Sequence, residues 1–91
     1  MDREQAIERG NHAARLLSDS LYVESFDKVR QALLAKFESS PARDTEGRER
    51  LYMMLKALND ARAVLEQVMN DGKVAHHLVE QERRFKLKVF R

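Results

Sequence analysis

Two adjacent histidines and a nearby carboxylate are the residues whose types and spacing come closest to a chemical site. His76, His77 and Glu80 lie within one turn or so of a helix, and imidazole and carboxylate groups are zinc ligands. Zinc requires three or four ligands that converge on one point, and His12 lies far away along the chain. We therefore expect no metal ion and no other cofactor. His76 and His77 are interpreted as polar surface residues.

The patterns that create nucleophiles or phosphate sites are also missing from the sequence. There is no Cys, no glycine-rich phosphate loop and no nucleophile elbow of the Gly-x-Ser-x-Gly type. Carboxylates are plentiful, but none is embedded in an apolar stripe that would adapt it to acid–base chemistry. The sequence thus predicts a binding protein with no catalytic residues, rather than an enzyme.

Composition indicates a small helical protein. The chain has 91 residues, of which 35% are charged, with only 3 Gly and 1 Pro. This length allows one domain, and this composition is typical of long helices. No apolar run approaches the ~20 residues needed to span a bilayer, so we expect no membrane partner. The absence of Cys fits a reducing cytoplasm.

Helical periodicity and turn signals divide the chain into an all-α hairpin or small bundle of three to four helices. Ser18-Asp19-Ser20 favours a helix N-cap, the segment around Pro41 ends a helix, and Asn70-Asp71-Gly72 is typical of a helix stop or kink. The single helical domain is predicted to cover residues 1–84. Its helices are expected over residues 3–17, 21–38, 45–70 and 73–84.

The long third helix carries the most specific pattern in the sequence, a heptad seam. Leu51, Leu58 and Leu65 repeat every seven residues, and other apolar residues fill the alternate positions. A second stripe of Tyr52, Ala57 and Val64 is expected beside it. The seam is interpreted either as an oligomer interface or as the core of a monomeric hairpin, and we favour a homo-oligomer. The predicted interface residues are Leu51, Met54, Leu55, Leu58, Ala61, Leu65 and Val68.

The C-terminal end differs from the rest in charge and in periodicity. Residues 1–82 contain 12 Lys/Arg against 15 Asp/Glu, whereas residues 83–91 contain five cations and no acid. Apolar and cationic residues alternate over residues 85–89, which is a strand signal, so residues 85–91 are expected to be a strand-like or disordered basic tail. Such a tail could bind nucleic acid phosphates, add a strand to a protein partner, or have no direct role. The predicted tail residues are Arg83, Arg84, Phe85, Lys86, Lys88, Phe90 and Arg91.

The sequence resembles small helical proteins encoded among the head and DNA-packaging genes of tailed bacteriophages. The resemblance rests on the capped segment LSDSLYVESF at residues 17–26 and on SSPARDTEGRERLYMML at residues 39–55. It ends near Asp71-Gly72-Lys73 and covers about residues 16–74. The hairpin with a self-associating long helix is also similar to the oligomerisation core of small terminase subunits. An N-terminal helix-turn-helix is not evident, so any DNA contact would come from the basic tail or from surfaces of the oligomer.

This resemblance implies a phage assembly or DNA-packaging factor that self-associates and binds virion or motor components, with DNA as a further candidate partner. It would act in the cytoplasm of the host cell, and it could also associate with the virion. The alternative is a small phage inhibitor that binds one host or defence protein. An assembly factor is expected to be an oligomer, whereas an inhibitor could act as a monomer or dimer.

Overall fold

A computed structural model describes residues 2–89 of the chain, and these residues form three helices. They are α1 (Arg3–Ser18), α2 (Ser20–Ser39) and α3 (Thr45–Val89), and no strand occurs among the described residues. The structure therefore confirms the predicted all-α class. The sequence predicted 3–17 and 21–38 for the first two helices.

An aspartate precedes each helix and accepts a hydrogen bond from a backbone amide of its first turn. The Gln5 amide donates to Asp2 over 2.7 Å, the Tyr22 amide donates to Asp19 over 3.0 Å, and the Gly47 amide donates to Asp44 over 3.1 Å. The first amides of a helix have no partner within the helix, so each carboxylate satisfies one of them. These three caps fix where the helices begin.

Helix α3 continues through Asn70, Asp71 and Gly72, where the sequence predicted a break between helices at 45–70 and 73–84. That prediction is wrong, because no glycine among the described residues has the positive φ that a helix stop of this kind requires. The Asp71 carboxylate accepts a hydrogen bond from the Gln67 amide group, 2.8 Å away and one turn earlier. The polar side chain is thus satisfied within the helix.

Residues 85–89 are also helical, although the sequence predicted a strand-like or disordered tail. A strand needs a second strand to satisfy its backbone, whereas extending an existing helix adds one hydrogen bond for each residue that is fixed. Apolar and cationic residues alternate along this segment of sequence. Because the segment is helical, the alternation does not place the apolar residues on one face and the cationic residues on the other. The predicted tail residues Phe90 and Arg91 lie outside the described residues.

The chain forms two compact units, and α3 contributes to both. One, here called unit 2, comprises Ser18–Val64 and contains α2 with the first part of α3. The other, unit 1, comprises the N-terminal residues through Leu17 and the residues from Leu65 onward, so α1 packs on the second part of α3.

Close backbone contact between α1 and α3 defines the core of unit 1. Ala13 and Ala75 are buried, and a Cβ atom built on Gly10 would lie 2.8 Å from the Cα atom of Gly72. The two helices run antiparallel, since Arg3 near the start of α1 forms an ion pair with Glu82. Small residues are needed here because a side chain on either glycine would meet backbone atoms of the other helix.

Unit 2 is an antiparallel hairpin whose core consists of aromatic and leucine side chains. Phe26 and Leu33 of α2 are buried, and the Tyr22 ring stacks on Phe26 with centroids 6.3 Å apart. The Arg62 guanidinium group of α3 lies 5.0 Å from the centre of the Phe26 ring. Arg62, on the apolar side of α3, therefore packs against an aromatic face within its own hairpin.

Arg48, in the first turn of α3, contacts the C-terminal end of α2 next to the loop that connects the two helices. Its guanidinium group lies 4.4 Å from the centre of the Phe37 ring and donates to the Ser40 hydroxyl oxygen over 3.1 Å. The Ser40 hydroxyl in turn donates to the Phe37 carbonyl over 2.6 Å, which closes the C-terminus of α2. One side chain of α3 thus contacts both the last turn of α2 and its cap.

We expect Arg48→Ala to lower the free energy of unfolding by about 1–2 kcal/mol, because it removes a cation–π contact and a charge-assisted hydrogen bond. The measurement is urea denaturation followed by circular dichroism. Arg50→Ala is the matched control, since Arg50 is exposed on the same helix two residues later. Equal stability losses in the two variants would contradict a role for Arg48 in closing the hairpin.

Candidate interaction surface

Arg3 of α1 and Glu82 of α3 form an ion pair at the surface of unit 1. Glu82 is exposed, and the Arg3 guanidinium group, through its hydrogen bond and its charge, lowers the pKa of the Glu82 carboxyl group. Glu82 is therefore held ionised as an ion-pair partner. His76 and His77 are both exposed, and no group of three or more potential metal ligands converges within residues 2–89.

Most of the predicted interface residues on α3 are partly covered within the chain. Leu51, Leu55, Leu58, Leu65 and Val68 are half-buried, whereas Met54 and Ala61 are exposed. Leu58 lies beside Phe26 of α2, so part of the heptad seam packs inside the hairpin of unit 2. Their use between copies of the chain stays a prediction.

A second apolar stripe on the same part of α3 faces solvent. Met54, Ala57, Ala61 and Val64 are exposed and recur at intervals of three, four and three residues, which places them on one face. We call this set the central stripe. The sequence placed Tyr52 with Ala57 and Val64, but Tyr52 lies on another side of the helix, because five residues correspond to about 140° of additional rotation.

A shallow apolar groove runs along the edge of the central stripe. Its lining residues come from both helices of unit 2 and consist almost wholly of apolar side chains. They are Tyr22, Ser25, Phe26, Val29, Leu58 and Ala61. Val29, within the groove, is 50% exposed, and Val64, outside it, is 62% exposed, so the apolar surface extends beyond the groove along α3. Hairpins with this much open apolar face commonly pack against a further helix.

The C-terminal part of α3, in unit 1, carries a separate exposed apolar face. Val74, Leu78, Phe85 and Val89 recur at intervals of four, seven and four residues and therefore share one side of the helix. They are between 39% and 65% exposed. We call this set the C-terminal stripe. Helix α1 packs on a different side, which contains Gly72 and Ala75.

A row of basic side chains runs along one flank of the C-terminal stripe. Each member directly precedes a member of the stripe, so the row is rotated from it by about 100°. The row, which we call the basic row, consists of Lys73, His77, Arg84 and Lys88, all exposed. In the part of the chain that the structure describes, Lys73, Arg84 and Lys88 form no ion pair.

The structure separates the predicted tail residues by face. Phe85 belongs to the C-terminal stripe, Arg84 and Lys88 belong to the basic row, and Arg83 lies within 3.9 Å of Glu80 on another side. Lys73, His77 and Val89 were not among the predicted tail residues. The helical period could have identified them if it had been followed from Lys73 through Val89.

Comparisons with known proteins give no relative for this chain: no protein-family model, no curated protein and no solved structure matches it. No helix among residues 2–89 has an apolar stretch of the length and hydropathy required to cross a membrane.

Proposed function

We propose that this chain is a non-enzymatic binding protein that associates with a second copy of itself through α3. We further propose that it serves as an assembly or DNA-packaging factor of a tailed bacteriophage. The observation that carries the self-association is the central stripe, which leaves Met54, Ala57, Ala61 and Val64 exposed. The resemblance of residues 16–74 to proteins of the phage head and packaging genes supports the role.

The spacing of the central stripe suits pairing with itself. Intervals of three, four and three residues read the same in both directions, so two antiparallel copies place Met54 opposite Val64 and Ala57 opposite Ala61. A two-fold interface requires such self-complementarity, because the same patch supplies both sides. The two alanines at the centre allow the helices to approach closely, and the larger side chains at the ends supply most of the buried area.

A role as an inhibitor of one host or defence protein is the second candidate. It is favoured by the C-terminal stripe and the basic row, which form an exposed surface separate from the central stripe. The two functions differ in what they require: an assembly factor needs the contact between copies, whereas an inhibitor needs only a single partner surface.

Ala61→Glu is expected to convert an oligomer of the full chain to monomer, because the carboxylate would be buried in the centre of the interface. The measurement is molar mass by light scattering after size exclusion, over a range of protein concentrations. Ala63→Glu is the matched control, since Ala63 is an exposed alanine on the opposite side of the same helical turns. It should leave the molar mass of the oligomer unchanged.

Two results would contradict self-association through the central stripe. A chain that remains at 10.6 kDa at all concentrations would have no contact between copies, and the inhibitor function would then be preferred. An oligomer that Ala61→Glu and Ala63→Glu affect equally would associate through a different surface.

A further inference from the structure

We propose that the C-terminal stripe and the basic row together form a docking surface for an acidic amphipathic helix of a different protein. This surface lies on the last part of α3 in unit 1 and uses none of the residues of the central stripe. The inference thus extends beyond self-association and can be tested separately from it.

The apolar part of the surface has the dimensions of a helix–helix contact. Val74 and Val89 are fifteen residues apart on one helix, which corresponds to roughly 22 Å or four turns. Val74 is 60% exposed, Phe85 is 65% exposed and Val89 is 53% exposed. A second helix with apolar residues at matching intervals would remove these side chains from water, and Phe85 is the largest of them.

The charges on the two flanks indicate which helix would fit. One flank carries Lys73, Arg84 and Lys88, which have no ion-pair partner within residues 2–89. On the other flank, Glu82 is already paired with Arg3 of α1. A partner helix with carboxylates along the edge that meets the basic row would gain complementary pairs, and these would also set its orientation.

A second copy of this chain fits the surface poorly. Residues 73–89 contain five Lys or Arg against two Glu, so two copies would bring positively charged segments together. In an antiparallel pair, Lys73 of one copy would face Lys88 of the other, and like charges at such positions are unfavourable. The partner is therefore a different chain of opposite charge.

A nucleic acid or a membrane surface would match either the basic row or the C-terminal stripe, but not both. Phosphate groups would interact with the basic row but would leave the apolar stripe exposed to water. An anionic bilayer would take up the stripe, but interfacial helices carry cations across their polar face, and here Glu80 and Glu82 form ion pairs among those cations. An acidic helix, which contacts the stripe and one flank only, uses both features.

The probe for this proposal is a synthetic helical peptide with Leu at the core heptad positions and Glu at the flanking positions. A fluorescent label on the peptide allows its binding to the full chain to be measured by anisotropy. We expect saturable binding that weakens as salt is added, since part of the affinity is electrostatic. A scrambled peptide of identical composition keeps the charge but loses the apolar face, and it should bind at least about tenfold more weakly.

Two substitutions within one helical turn distinguish binding to the C-terminal stripe from general hydrophobic binding. Phe85→Ser should weaken peptide binding about tenfold or more, as expected for loss of the largest apolar side chain of the interface. Leu87→Ser should leave binding unchanged, because Leu87 is 60% exposed but lies on a different side of the helix. Circular dichroism verifies that both variants keep their helix content.

The proposal would be overturned by equal effects of Phe85→Ser and Leu87→Ser, or by equal binding of the designed and scrambled peptides. Binding of a short DNA duplex, or of vesicles of phosphatidylcholine and phosphatidylglycerol, in place of the peptide would also overturn it. Repeating the titration with the Ala61→Glu chain distinguishes this site from self-association. Peptide binding should persist in that variant whether or not the chain is an oligomer.

Discussion

Phe26→Ala is expected to lower the free energy of unfolding by about 3 kcal/mol, the largest effect of any substitution considered for this chain. Phe26 is only 8% exposed, and it is the largest side chain in the core of unit 2. Its ring contacts Tyr22 on the same helix and the Arg62 guanidinium group of α3. Truncation would remove these contacts and leave a cavity between the two helices. The loss is readily measured by urea denaturation.

Phe85→Ala is the matched control for this experiment, because Phe85 is 65% exposed and its removal opens no cavity. Its effect on the free energy of unfolding should stay within about 0.5 kcal/mol. A small domain has a total stability of only about 5–15 kcal/mol, so the loss at Phe26 should shift the urea midpoint clearly. If both variants had the same midpoint, Phe26 would not be buried between α2 and α3.

Gly72→Val is the second substitution with a large expected effect, a loss of about 1–3 kcal/mol. A Cβ atom on Gly72 would lie 2.8 Å from the Gly10 Cα atom and 2.9 Å from the Ala6 carbonyl oxygen. Both neighbours are backbone atoms of α1, so neither can rotate away, and the two helices of unit 1 must separate. Thermal denaturation followed by circular dichroism measures the loss.

Gly72→Ala makes the same test more selective. In a helix without neighbours, replacing Gly by Ala stabilises by about 1 kcal/mol, so stabilisation is the expected result if nothing packs on Gly72. The contact with Gly10 predicts the opposite sign. Asn70→Ala serves as the control, since Asn70 is exposed on the same turn and should tolerate alanine. An increase in melting temperature for Gly72→Ala would show that α1 does not pack there.

Local signals allowed much of the helical fold to be predicted from the sequence. The aspartate at position 19 and the proline at position 41 act on their immediate neighbours, and the helices they bound lie close to the expected residues. The predicted helix break at Gly72 was wrong because glycine has two different structural roles in helices. It ends helices by adopting positive φ, and it also permits close helix contact, which depends on Gly10 some sixty residues earlier.

The candidate surfaces were predicted only in part for a similar reason. The heptad pattern identified α3 as the helix with surplus apolar residues, but it could not specify which stripe α2 covers. That depends on the side of α3 against which Phe26 and Leu33 pack. At the C-terminus, residues 85–89 alternate between apolar and cationic types, and this pattern of only five residues predicted a strand. The longer interval from Val74 to Val89 has the helical period.

The division of the chain into units has a consequence for the order in which it folds. Unit 2 is continuous in sequence, and its two helices are joined by residues 40–44, so its contacts form with little loss of chain entropy. Unit 1 instead joins α1 to residues beyond Leu65, with residues 18–64 between them. On the ribosome, α1 therefore emerges before α2 and α3 but packs after them, because its partner is the last part of α3 to be synthesised.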